Sequence, residues 1–340
     1  MTTTVRPVRT YRRPLVLLGL AVAVVLAVAL SLAIGAQWLR PAEVWQAVTD
    51  PDPASPATAI VRELRLPRTV LGVLVGLSLG AAGALMQGHT RNPLADPGLL
   101  GISAGASFAV VIGFQLGAGG LGGYIWFAFA GALLASVAVF GIASGRRGGP
   151  TPVTLALAGM AISALLASFT QSILLADDAS LNVFRFWVVG SLSGRDATVA
   201  AQVAPFIAAG LLLALANAPA LNALGLGEDI ARALGQRVFL ARATGVAAIV
   251  LLAGAATAAA GPIGFLGLIV PHVARSFVGP DHRWLVPCSA LAGATLLLVA
   301  DVLGRIVVSP GELQTGIVLA AVGAPFFVHL VRSRRGAVKL

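Results

Sequence analysis

Residues that could do chemistry are scarce in this chain, and their spacing argues against catalysis. Charged side chains make up 11% of 340 residues. The only lysine is Lys339, at the C-terminus, so no glycine-rich loop can present a lysine to nucleotide phosphates. The four histidines, His89, His272, His282 and His329, fall near the ends of apolar stretches. They form no row of ligands of the kind a transition-metal path needs. The single cysteine, Cys288, excludes an intrachain disulfide framework. No Ser-His-Asp set, zinc-ligand spacing or pair of carboxylates inside an apolar stretch is present. Asp301 is the main ionisable group within such a stretch. Four residues before Arg305, it reads as an interfacial aspartate near a helix end, paired with that arginine. The residues therefore predict no catalytic group, no metal site and no bound cofactor, and any energy input must come from another chain.

Three constellations remain. Gly72, Gly76 and Gly80 recur every fourth residue, with Gly83 beside them, which places a stripe of small residues on one helix face. Such a stripe lets another helix approach to backbone contact; it reads as packing within one subunit, with a face turned to the substrate as the other reading. The segment 217–242 contains Gly227, then Glu228 and Asp229, then IARAL and Gly235. Acids at a start and a glycine at a stop predict a two-turn helix, Glu228–Leu234. A helix so short is marginal alone, so it packs either on its own protein or on a partner that pushes it. Arg62, Glu63, Arg65 and Arg68 crowd around Pro67. One or two cations would suffice to anchor a helix at the headgroups, and three suggest docking of acidic groups on an external partner.

The elements that carry these residues are apolar. Ten stretches of roughly spanning length run over Leu15–Ala36, Pro67–Gly88, Leu99–Leu116, Tyr124–Ser144, Val153–Ala176, Thr198–Ala216, Leu240–Ala260, Gly264–Val278, Trp284–Leu303 and Leu313–Val331. The eighth, punctuated by Pro262 and Pro271, is the shortest. Continuous apolar runs without alternation predict helices rather than a barrel. The fold class is an all-α polytopic membrane bundle, one domain over 1–340, with a basic tail at 1–14 and a loop at 217–242. Leu15–Ala36 is too long for the apolar core of a cleaved signal and reads as an uncleaved first helix. If the N-terminus is cytoplasmic, inner segments hold 16 of the 23 arginines and lysines and outer segments 7, as the positive-inside rule requires. Ten spans then put both termini in the cytoplasm. The net charge of +10 is mostly topology, with cations scattered over short loops rather than gathered for nucleic acid.

Four segments carry a resemblance. RLPRTVLGVLVGLSLGAAGALMQGHTRNPLADPGLLGISAGA at 65–106, ALGLGEDIARALG at 223–235, GPIGFLGLIVPHVAR at 261–275 with DHR at 281–283, and LADVLGR with GELQTGIVLAAVGAPFF within 298–327 resemble the FecCD-type permeases of ABC importers. That family handles iron-siderophore, haem and cobalamin. The resemblance implies the ten-span type II permease fold in a bacterial cytoplasmic (inner) membrane. It also implies a second permease subunit, identical or paralogous, an extracytoplasmic substrate-binding protein, and two ATP-binding subunits that hold ATP and Mg. Gly227, Glu228, Asp229, Ile230, Arg232, Leu234 and Gly235 would form the ATPase-coupling helix. Arg65, Arg68 and Arg305 would dock the binding protein. Thr151, Pro152, Val153 and Thr154 would form a cytoplasmic gate, with Pro152 where a small polar residue is expected. Ferric siderophore is the cargo expected first, with haem or cobalamin as alternatives. A stand-alone secondary transporter or channel is the competing class, and it would move solute without companions.

Overall fold

A computed structural model describes residues 12–35, 37–118, 121–145, 151–308 and 311–335. The tail read at 1–14 lies outside these up to residue 11. Among the described residues every regular element is helical. In order they are α1 (Arg12–Ala33), α2 (Pro41–Thr49), α3 (Pro56–Ala59), α4 (Leu66–Thr90), α5 (Ile102–Gln115), α6 (Leu121–Ser144), α7 (Pro152–Ala176), α8 (Asp178–Trp187), α9 (Ala197–Gly225), α10 (Glu228–Ala233), α11 (Val238–Ala260), α12 (Leu266–Val278), α13 (His282–Val307) and α14 (Thr315–Arg335). A π-helical turn, Ile60–Arg65, fuses α3 to α4.

Seven helical runs are long and apolar enough to cross a membrane, and α5, α12 and α14 supply three shorter apolar helices. These ten coincide with the ten stretches of the sequence. Polar contacts sort their ends. Arg13 at the start of α1 pairs with Asp281 before α13 at 3.3 Å. Gln115 at the end of α5 donates to Asp177 before α8 at 2.7 Å. The chain thus runs back and forth between a Glu228 end and an Arg68 end.

Core packing is built on absent side chains. A methyl group added at Gly76 would lie 2.4 Å from the Ala294 Cα, and one at Gly80 would lie 2.1 Å from the Ser289 carbonyl oxygen. At Gly83 the obstacle is the Gly267 carbonyl oxygen, at 2.0 Å. The stripe thus seats α4 against α13 and α12, within one chain. Gly72 faces Leu298 and Leu192 in the same way. Hydrocarbon gives membrane helices no hydrophobic reason to associate, so close backbone approach supplies dispersion contact instead.

Three boundaries differ from the sequence reading. α9 does not stop at Ala216 but continues through Pro219 to Gly225, so the segment 217–242 is mostly helical: the end of α9, then α10, then the start of α11. α10 ends at Ala233, with Leu234 as its C-cap. The third stretch begins as a 3-10 turn, Pro97–Leu100, and α5 starts only at Ile102. Three helices were unforeseen, α2, α3 and α8, though each carries a start signal: Pro41 and Pro56 in the first turns of α2 and α3, and Asp177 accepting from the Ala179 and Ser180 amides at α8.

Candidate functional site

At the Glu228 end, sequence dictates a displayed helix. Gly227 has φ +118° and no neighbour within 4 Å where a Cβ would stand, and Gly235 has φ +81°. Both conformations are strained for other residues, so α10 is bracketed by two breaks. Glu228 turns back toward the body and bonds Arg242 of α11; it also takes Arg232 at 3.1 Å, and Arg232 reaches the fully exposed Asp229 at 3.0 Å. Ala231 is buried among Leu224 and Ala241. The apolar side chains do the opposite, with Ile230 51% and Leu234 62% exposed. Exposed apolar residues on an anchored short helix make a contact surface.

Beneath α10, buried polar groups join the neighbouring helices. The Asn217 amide of α9 donates to the Ala241 carbonyl and the Thr244 hydroxyl of α11, both at 2.8 Å. Its carbonyl oxygen lies 3.1 Å from His89 Nε2 on α4. A cavity of about 360 Å³ opens beside them, lined by Asn217, Gly235, Gln236 and Thr244. Nearby, Asp281 caps α13 through the Arg283 amide and accepts from Asn222 at 2.7 Å. Desolvation is the largest influence on Asp281 and acts upward, but the Asn222 and Arg283 hydrogen bonds and the Arg13 and Arg283 charges together hold its carboxyl below the usual aspartate range.

Thr151, Pro152, Val153 and Thr154 form the start of α7. The Thr154 amide donates to Thr151 Oγ1 and the Thr151 amide to Thr154 Oγ1, a reciprocal cap, with Pro152 in the first turn. Proline suits that position because it lacks the N–H a helix start leaves unbonded. This explains the residue that departs from the family pattern. The turn is exposed at Thr151 and Val153.

At the Arg68 end the structure corrects one reading, of Asp301, and shows the surroundings of three arginines. Asp301 is not an interfacial residue with one partner. It is 0% exposed and accepts from Arg68 Nε and Nη2 at 3.0 and 2.9 Å, from Thr315 at 2.8 Å, and from Arg305. Arg65, Arg68 and Arg305, read as docking residues, are 6, 8 and 3% exposed. Most of their donors are taken up inside the chain, with Arg305 Nε left without a hydrogen-bond partner. Arg65 donates to the Leu32, Ala33 and Gln37 carbonyls, and Arg305 to those of Ser31 and Ile34. The last carbonyls of α1 lack helical partners, and these two cations satisfy them and oppose the negative end of its macrodipole. Arg68 also pairs with the exposed Glu312 at 2.7 Å. The cation of the cluster that does face outward is Arg62, which caps the end of α2 through the Ala47 and Val48 carbonyls. Sequence alone could not separate the roles of Arg62, Arg65 and Arg68, because all three are arginines beside one proline.

Ten apolar helices packed by glycine, with an anchored helix displayed at one end, define a multi-pass membrane protein. The FecCD transport family model matches residues 22–333, and the chain belongs to that family. It is 47% identical over 93% of its length, and 94% of the relative's, to the ferric enterobactin transport system permease protein FepD of Escherichia coli (strain K12). It is 41% identical to the hemin transport system permease protein HmuU of Yersinia pestis, over 80% of this chain and 83% of that one. A solved structure described as an inward-facing conformation of a metal-chelate type ABC transporter superposes with a TM-score of 0.82 at 28% identity, covering 94% of this chain and 99% of the other. The chain is thus a permease of the ABC-importer type rather than an enzyme.

Proposed function

We propose that this chain is the membrane-spanning subunit of a binding-protein-dependent ABC importer that admits a ferric siderophore. The observation that carries the reading is α10, a short helix fastened to the bundle through Glu228 and Arg242 while Ile230 and Leu234 face away, in a chain of the FecCD family. An ATPase groove that receives those two side chains converts nucleotide-driven closure into movement of the bundle. Two permease subunits, identical or paralogous, surround the path. Two ATPase subunits bind ATP and Mg below it, and a binding protein delivers the chelate above. The Glu228 end is then cytoplasmic, in keeping with the distribution of arginines, and the Thr151–Thr154 turn on the same side is positioned for the gate. Binding-protein docking belongs at the Arg68 end, where Arg62 and Glu63 are exposed while Arg65, Arg68 and Arg305 hold the fold behind them.

Ferric siderophore is favoured because a ferric enterobactin permease shares 47% of aligned residues over almost the whole length. The hemin permease at 41% makes haem the second reading. Uptake by proteoliposomes holding the complete transporter tests both: ATP-dependent accumulation of the ferric chelate without haem is expected, and the reverse selectivity would replace one cargo by the other. For the contact helix, Ile230→Asp with Leu234→Asp is expected to abolish co-purification of the ATPase while the chain still inserts. Full retention of the ATPase by that variant would remove α10 from the interface.

A further inference from the structure

The charge that fastens α10 to the bundle sits in an unfavourable place. Arg242 is the fifth residue of α11, close to the helix end where the macrodipole disfavours a cation. It is 3% exposed. Its Nη2 bonds Glu228, while its Nε and Nη1 have no hydrogen-bond partner. Among the ion pairs of the described residues, Glu228 is the carboxylate that meets it, and Glu228 is itself steered by Arg232 at 3.1 Å. A cation buried with one counter-charge and two unused donors is a poor way to stabilise a helix. It is an effective way to prevent two elements from moving apart, because separation would strand the guanidinium.

We propose that Arg242 is the positioning residue that makes α11 follow α10, so that Glu228–Arg242 acts as a strut between the contact helix and the bundle. The inference rests on the importer reading, which supplies the force on α10. What lies beyond Arg242 fits this role. The adjoining turn of α11 is tied to α9 by Asn217, through Ala241 and Thr244. Gly245 packs directly on the His89 ring of α4, which would obstruct even a methyl group. α11, largely buried, is 23 residues long in all, about 35 Å at 1.5 Å per residue. At its far end the Ala260 carbonyl accepts from the Ser191 amide at 2.8 Å, and the neighbouring Gly190 carbonyl accepts from Gly316 at 3.0 Å. Gly261, at φ +77°, leaves no room for a Cβ against the Trp187 carbonyl. One rigid rod therefore joins the strut to the loops of the Arg68 end, giving the physical continuity that coupling between distant sites requires.

The test uses the complete transporter, permease with its ATPase and binding protein, in proteoliposomes, and reads chelate uptake per ATP hydrolysed. Arg242→Gln is expected to leave hydrolysis within about twofold of the wild type and to cut uptake per ATP by about tenfold or more. Arg242→Lys, which keeps the charge, is expected to lie between them. The exchanged pair, Glu228→Arg with Arg242→Glu, is expected to recover a substantial part of the ratio, which repair of folding alone would not do. An unchanged ratio in Arg242→Gln would overturn the strut. So would parallel loss of assembly and hydrolysis in all three variants, which would leave Arg242 a structural residue only. A wild-type complex without ATP-dependent uptake would instead sink the importer reading, and the strut would fall with it.

Discussion

Asp301 is the residue on which the Arg68 end depends. Two guanidiniums converge on its carboxylate from α4 and α13, and they have no other fully buried counter-charge among the ion pairs of the described residues. Asp301→Asn keeps the shape but leaves Arg305 without a carboxylate partner and Arg68 with the exposed Glu312 alone, so it is expected to cost about 3–5 kcal/mol and to lower the melting temperature of the detergent-purified protein sharply. A melting curve equal to the wild type would refute the burial argument. The same geometry bears on a charge reversal at both Arg65 and Arg68. Such a variant is expected to fail in folding, so loss of uptake in it would say nothing about docking; Arg62→Glu is the informative change there. At the other end, Asp281→Ala removes the cap of α13 and the partner of Arg13, an expected loss of about 1 kcal/mol. Because the folded Asp281 carboxyl titrates below its unfolded value, which is about 3.9, its contribution is present above that pH and disappears as pH falls through the folded value. The melting-temperature gap between wild type and variant should be flat from about pH 8 to pH 5 and close only below about pH 4. A gap that closes near neutrality would contradict the assignment.

At the scale of elements, α4 is the axis of the bundle. At Gly76, Gly80 and Gly83 its glycine face meets α13 and α12 at backbone distance, so a methyl added at any of the three must push helices apart. Gly80→Ala is expected to destabilise by about 1–3 kcal/mol, because the obstructing atom is the Ser289 carbonyl oxygen and cannot rotate away. Gly19→Ala on α1, where nothing lies within 4 Å, is the matched control and should melt as the wild type. Equal effects would mean that the stripe reflects helix propensity rather than contact. The strut places α11 beside α4 as the second axis. α10 contributes little stability of its own at six residues, which leaves it free to be moved by whatever binds Ile230 and Leu234.

For the whole molecule, the proposed function makes the Glu228 end the one that receives power and the Arg68 end the one that receives cargo. No group of three or more His, Cys, Asp or Glu side chains is poised to hold a metal among the described residues. The proposed cargo is a chelate, which carries its own ligands and is passed along by walls that do not compete for iron. Proteoliposomes holding this chain alone should therefore accumulate no chelate with or without ATP or an ion gradient. Uptake in that preparation would move the protein into the class of self-contained carriers.

The ten apolar runs, the glycine stripe and the bracketed helix at Glu228 were legible in the chain because each is a local signal. Length in hydrocarbon, a four-residue period and a glycine after an acidic start all act within a few turns. Helix α9 beyond Ala216 was not legible, since Pro219 ordinarily argues for an end, and here neighbouring helices hold the segment helical across it. The arginines show the same division most clearly. A run such as RELRLPR states that cations are present near a helix start, but charge type does not specify a partner. Only the folded chain brings Asp301 from 233 residues away and turns the open end of α1 toward Arg65 and Arg305. Those contacts form because burial leaves a charge no water to bond, and that condition exists only once the helices have packed.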